Sequence, residues 1–263
     1  PCQLNQTSVI SPFPTASPAV PPSSATLRVV NGVEAVPHSW PWQVSIPFNP
    51  IPYMHGCGGS LIHKQWVLTA AHFSFDLISL TPGGFDLIIR HKGFVYEQDK
   101  TDITNDIALV HLSSEVNMTR EISPVCLPAL GALMPAGKPC YVTGWGDEKG
   151  SLFPVVSKKL NQAALPIVPF ATCSKPAYWW DTLRPSMICA GYESPDELKS
   201  ACQVDYGPLP SYTSDPWEVH GIVSFGAFGC IKDKKPSVFT RVSSFNDWID
   251  DNMKRFTYEK SLN

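Results

Sequence analysis

The sequence predicts an all-β protein closed by one C-terminal helix, and three observations carry that expectation. Short apolar runs rich in β-branched and aromatic residues recur along most of the chain. Gly, Pro, Asp and Asn separate them. Helical periodicity is confined to the C-terminal end. The runs are Trp42–Ile46, Trp66–Thr69, Leu87–Ile89, Ile107–Leu112, Cys140–Thr143 and Val219–Phe225. Many short strands joined by turns read as a barrel or a sandwich. At the end of the chain, Ser244 precedes Phe245, Trp248, Ile249 and Met253, an apolar stripe at helical spacing. Asp247 lies three residues past that serine in a capping arrangement, so a helix is expected over 243–255.

Residues 1–28 form a different segment. Ser11-Pro12, Phe13-Pro14 and Pro21-Pro22 mark a Pro/Ser-rich stretch that buries too little apolar surface to offset its ordering entropy. An extended arm is expected there, ending at Arg28 where Val29-Val30 and the turn signal Asn31-Gly32 begin the domain, 29–263. The chain starts Pro1-Cys2 without an apolar signal region, the start expected of a mature secreted form. The sequons Asn5-Gln6-Thr7 and Asn117-Met118-Thr119 predict glycosylation at Asn5 and Asn117 and suit the same route.

With 263 residues, 43% hydrophobic and 16% charged, the chain can bury a sizeable core. A net charge of -3 gives no reason to expect nucleic acid or an anionic membrane as partner. No apolar run is long enough to span a bilayer, and Lys158-Lys159, Lys232, Lys234 and Lys235 read as solvated loop positions. The eight cysteines contain no C-x-x-C pair, and His55 and His63 flank Cys57 without a second pair to complete a zinc site. Structural disulfides are expected, with no metal and no cofactor.

Acyl hydrolysis by a side-chain nucleophile needs an imidazole base, a carboxylate to orient it, and an oxyanion hole. Three stretches place such parts: Arg28–Gly32 leading to Ser39–Ser45; Cys57–Ile62 followed by Trp66-Val67-Leu68-Thr69-Ala70-Ala71-His72; and Asn105-Asp106-Ile107-Ala108-Leu109. Val125–Pro128, Thr143–Gly146, Met187–Gly191 and Gly221–Gly226 continue the series. Together these resemble the chymotrypsin/trypsin-type serine proteases over nearly all of 29–250. The resemblance implies two six-stranded antiparallel β-barrels with a cleft between them, at 29–137 and 138–242. It also implies His72 as the base position and Asp106 as the orienting carboxylate.

One part of that pattern is missing. The family's Gly-Asp-Ser-Gly-Gly-Pro-Leu is matched by Val204-Asp205-Tyr206-Gly207-Pro208-Leu209, one residue shorter and without serine. Either Tyr206 stands at the nucleophile position and a glycine is gone, or the serine itself is deleted. A tyrosine oxygen would overshoot the place of a serine oxygen. Val204 takes a glycine position whose N–H belongs to the oxyanion hole, where a β-branched residue resists the required backbone. The segment between His72 and Asp106 is also short for the family, and the expectation is a poorly oriented base.

The resemblance implies further residues. Ser200 takes the pocket-floor position, Ser237 a wall position that is often glycine, and Ser224-Phe225-Gly226 the strand that pairs with a peptide backbone. Cys173–Cys189, Cys202–Cys230 and Cys2–Cys126 are the implied bridges, the last tethering the arm in the chymotrypsinogen manner. Phe73 replaces the family partner of Cys57, and Leu209-Pro210-Ser211 offers no cysteine to Cys140. An unpaired thiol in a secreted protein is a liability or an intermolecular handle, so Cys57 and Cys140 are expected either as free thiols or as a disulfide link to another chain. Arg28, Val29 and Asp205 keep the activation pattern, in which cleavage after Arg28 frees an amino terminus for Asp205.

These residues lead to a secreted serine-protease homologue without its nucleophile, acting by binding an unidentified protein or peptide. The alternatives are an active chymotrypsin-like endopeptidase, which requires the 204–209 stretch to be aberrant, and a structural component of an extracellular assembly. For the last, Trp179-Trp180 beside Tyr178 is the first surface to examine, with at least one ring expected in the core.

Overall fold

A computed structural model describes residues 32–47, 55–72, 85–90, 95–97, 100–146, 157–193, 208–211, 216–227 and 233–261. The apolar runs become strands: β1 Val33–Glu34, β2 Gln43–Pro47, β3 His55–His63, β4 Trp66–Thr69, β5 Phe85–Arg90, β6 Val95–Glu97 and β7 Lys100–Asp102. They continue as β8 Ala108–Leu112, β9 Pro139–Gly144, β10 Asn161–Val168, β11 Met187–Ala190, β12 Pro208–Ser211, β13 Glu218–Phe225 and β14 Ser237–Arg241. A single-turn helix, α1 (Phe170–Cys173), a long one, α2 (Asn246–Ser261), and two short 3-10 turns, Trp180–Thr182 and Val242–Ser244, complete the described elements.

The pairing is antiparallel throughout the named strands and gathers all but β6 and β7 into two curled sheets, the expected all-β class. One sheet runs β2-β3-β4-β8-β5. The other runs β1-β10-β11-β14-β13-β12, with β9 added on β10, and β6-β7 form a separate ribbon. The first and shortest strand, β1, lies early in the sequence yet pairs with β10, Val33 opposite Gln162. It ties the start of the domain to the second sheet.

Local sequence explains the register. Gly59 in β3 faces β4 so closely that a Cβ there would stand 2.6 Å from Val67 Cγ1. Only glycine lets the two strands approach at that point. Val67, Leu68 and Leu109 fill one core, while Val142, Leu165 and Phe239 fill the other. Between the sheets, the ring of Trp40 lies 5.9 Å from Trp42, 5.5 Å from Tyr141 and 5.3 Å from Trp217. Its indole Nε1–H donates to Gln162 Oε1 at 2.7 Å, and Thr143 Oγ1 donates to Gln43 Oε1 at 2.6 Å. The packed aromatic rings, with the Trp40 indole bonded across to Gln162, fix how the two halves meet.

The C-terminal helix differs in its bounds from the 243–255 expectation. Ser244 ends a short 3-10 turn, Val242–Ser244, and its Oγ accepts from Arg241 Nε at 2.8 Å, so it does not cap the helix. The helix begins at Asn246 and runs on to Ser261. Asp247 still sits in the first turn, where its charge suits the helix dipole. Ile249 is fully buried, and Phe256 lies 5.4 Å from the ring of Trp66 and 4.1 Å from that of His111. The apolar stripe thus docks α2 on the first core.

Candidate active site

His72 follows the end of β4 and Asp106 precedes β8, and these strands are neighbours, with Thr69 opposite Ala108. The pairing brings two residues 34 positions apart into contact. Asn105, just before the carboxylate, has φ 56°, a left-handed conformation that asparagine tolerates better than most side chains. It turns the chain so that Asp106 points inward. Asp106 Oδ1 accepts the backbone N–H of His72 at 2.8 Å, and Oδ2 lies 2.6 Å from His72 Nδ1. A carboxylate only accepts, so Nδ1 carries the proton and Nε2 is left as the acceptor nitrogen. The carboxylate is 0% exposed and the imidazole 18%. This corrects the expectation of a poorly oriented base: the short segment ahead of Asp106 leaves the β4–β8 ladder intact, and the ladder sets the geometry.

The second sheet completes the arrangement. Ser224 Oγ, on β13, donates to Asp106 Oδ2 at 2.5 Å, and Thr240 Oγ1, on β14, donates to the Asp106 carbonyl at 2.9 Å. The sequence named Ser224 only as part of a peptide-pairing strand and did not single out Thr240. Their signal was polarity inside buried apolar runs, since an unpartnered hydroxyl is costly to bury. Strand β12 begins at Pro208 opposite Ile222, two residues before Ser224.

Beyond Ser224, Phe225 is half-buried and Gly226 exposed. The Trp179 ring meets Phe225 edge to face at 5.1 Å, and its Nε1–H donates to Pro236 O at 2.8 Å. Trp180, in contrast, is 60% exposed. Ser237 is buried on β14 opposite Ala190 of β11. Gly191, φ 146°, lies where a Cβ would come within 3.3 Å of Pro236. The Tyr178 hydroxyl donates to Glu193 at 2.7 Å, and that hydrogen bond, with burial, pushes its phenol up to about 12.

Behind the base, Cys57 lies on β3 with its Sγ 3.6 Å from Gly58 O and 3.7 Å from Thr69 Oγ1. Burial pushes its thiol far above the ordinary range. Cys57 on β3 and Cys140 on β9 are both 0% exposed. Cys173 and Cys189 form the implied disulfide across α1 and β11, with Cα atoms 6.5 Å apart. Cys126 is disulfide-bonded. Its implied partner Cys2 lies outside the described residues, as do Cys202, Cys230, Ser200, Val204, Asp205, Tyr206, Arg28, Val29 and Asn5. Among the described residues, no three of His, Cys, Asp and Glu gather as a metal site, and no helix is long and apolar enough to cross a membrane.

Comparison with known proteins agrees with this arrangement. The sequence model of the family described as Trypsin matches residues 29–249. Chymotrypsin-C of Rattus norvegicus is 42% identical over 260 residues, covering 90% of this chain and 93% of that protein. Human chymotrypsin-like elastase family member 3B is 39% identical over 254 residues, 88% of this chain and 91% of the relative. Proproteinase E of Bos taurus is 40% identical over 252 residues, 88% and 97% respectively.

Proposed function

The chain belongs to the trypsin family, and from that premise we propose that it is a secreted homologue that has lost acyl-transfer chemistry and acts by binding a protein or peptide. One observation carries the reading. Between Cys202 and Leu209 the sequence holds no serine, although His72 and Asp106 stand ready to activate one. Val204 replaces an oxyanion-hole glycine in the same stretch. Losing one oxyanion donor costs about 10²–10³ in turnover, and losing the nucleophile costs more. The peptide would lie along Ser224-Phe225-Gly226 by main-chain pairing, with Trp179 supporting Phe225 from behind. Secretion is supported by the Cys173–Cys189 disulfide, which persists in oxidising compartments. The name of the bovine relative, a proproteinase, suits retention of Arg28, Val29 and Asp205 as a cleavage switch.

The test is active-site labelling. After trypsin treatment, a serine-directed phosphonate should leave the protein unmodified. Label mapped to any residue within hydrogen-bond reach of His72 would favour the active endopeptidase and end this reading. Repair offers a second arm. Tyr206→Ser alone should give no turnover of an aromatic peptide ester, because the nucleophile and the oxyanion hole act as a unit. Adding Val204→Gly and a glycine after Gly207 should restore it.

A further inference from the structure

We propose that Asn117 is an N-glycosylation site, modified on the nascent chain before the loop that carries it has closed. The sequon Asn117-Met118-Thr119 has the required hydroxyl residue and no proline between. A sequon alone is a weak signal, but the fold gives this one a direction. Val116 and Met118 both pack against the first core, while Asn117 between them is exposed. The segment is neither helix nor strand, and its backbone is pinned by Val116 N–H donating to Lys64 O at 2.9 Å. With both neighbours turned inward, the Asn117 carboxamide faces solvent. A glycan there meets no packed surface and disturbs no core contact.

The order of events follows from Thr119. In the folded chain its Oγ1 accepts the N–H groups of Glu121 at 3.1 Å and Ile122 at 3.2 Å. Its own N–H donates to Ile122 O at 2.9 Å. A transferase that selects Asn-x-Thr must bind that hydroxyl, so the closed loop presents it in the wrong company. The donor is an oligosaccharide linked through pyrophosphate to a lipid. The Asn117 side-chain nitrogen attacks its anomeric carbon, forming the C–N bond. The carbon–oxygen bond to pyrophosphate breaks, lipid pyrophosphate leaves with the electron pair, and the amide nitrogen gives up one proton to a base of the transferase.

The experiment uses the full chain, secreted from mammalian cells with Asn5→Gln to silence the other sequon. Amidase deglycosylation in heavy-oxygen water should convert Asn117 to labelled aspartate in most molecules, read by peptide mass. Thr119→Ser should keep the glycan, and Thr119→Ala should lose it. Secreted protein with unmodified Asn117 would overturn the site. For the order of events, bacterially made protein is offered to microsomes carrying the transferase and lipid donor. The reduced, unfolded chain should accept the glycan and the refolded chain should not. Equal modification of both would overturn the claim about timing.

Discussion

Removing the Asp106 side chain tests how much the His72–Asp106–Ser224 group contributes to folding, apart from any chemistry. Asp106→Ala deletes the acceptor of three donors: His72 N–H, His72 Nδ1–H and Ser224 Oγ–H. A buried donor left unsatisfied costs about 1–3 kcal/mol. With three donors left without their acceptor, and the cost of burying the carboxylate itself relieved, about 3–5 kcal/mol in all is expected. His72 is partly exposed and can recover some solvation, which pulls the value toward the lower end. For a domain of this size each kcal/mol moves Tm by about 2–4 °C, so a drop of roughly 6–20 °C is expected. Scanning calorimetry at pH 7, with urea midpoints as a second measure, reads it directly. Asp106→Asn should cost less, because its amide oxygen still accepts the His72 N–H. A Tm drop under about 2 °C for Asp106→Ala, less than one kcal/mol, would refute the reasoning. The carboxylate would then contribute little to folding, and its retention would have to rest on chemistry.

Two further outcomes follow from buried titratable groups. Cys57 should resist iodoacetamide in the native protein and react in denaturant. If its exposure requires global opening, labelling should slow by about 10³–10⁶, and reaction at the rate of a free peptide thiol would contradict its burial. His220, buried on β13 with its Nε2 3.0 Å from Glu218, has its pKa lowered below 6.5, by desolvation first and against the pull of Glu218. The unfolded chain then binds the extra proton. His220 contributes stability that is full above about pH 6.5 and lost as pH falls through the lowered folded value. His220→Gln should flatten the fall of the urea midpoint between pH 7.5 and pH 5, and an unchanged slope would discount the pair.

The fold was legible because its signals are local. Trp66–Thr69 is bounded as a strand by its own apolar run, and all four of its residues are buried. The motif around His72 and that around Asp106 were each readable, but their contact depends on the β4–β8 register, which no single segment encodes. Length misled in one place. A short segment between base and carboxylate suggested misalignment, whereas a ladder of paired strands is insensitive to the length of chain outside it. Side-chain partners across the two sheets were the least legible. Ser224 and Asp106 are 118 residues apart, and nothing in either neighbourhood names the other. The Ser244 cap failed for a related reason, since a hydroxyl three residues from an arginine can serve Arg241 as readily as a helix end.

The proposed function requires that a nucleophile be lost while its partners stay, and the same asymmetry supplies a route. Asp106 accepts side-chain hydrogen bonds from both sheets, and Thr240 holds its carbonyl as well. Any substitution there is felt by the fold, so stability alone guards the residue. A nucleophilic serine is held differently. Its hydroxyl serves the substrate, and replacing a small side chain outside a core typically changes stability by only about 0.5 kcal/mol. Once chemistry is no longer required, that position drifts and the paired residues do not. On this account an intact His72–Asp106–Ser224 group reports the packing of two sheets and says nothing by itself about turnover. The serine-directed probe and the Asp106→Ala melt thus measure different things. Only an unlabelled protein that also melts early agrees with the proposed function and with the reason given for its surviving geometry.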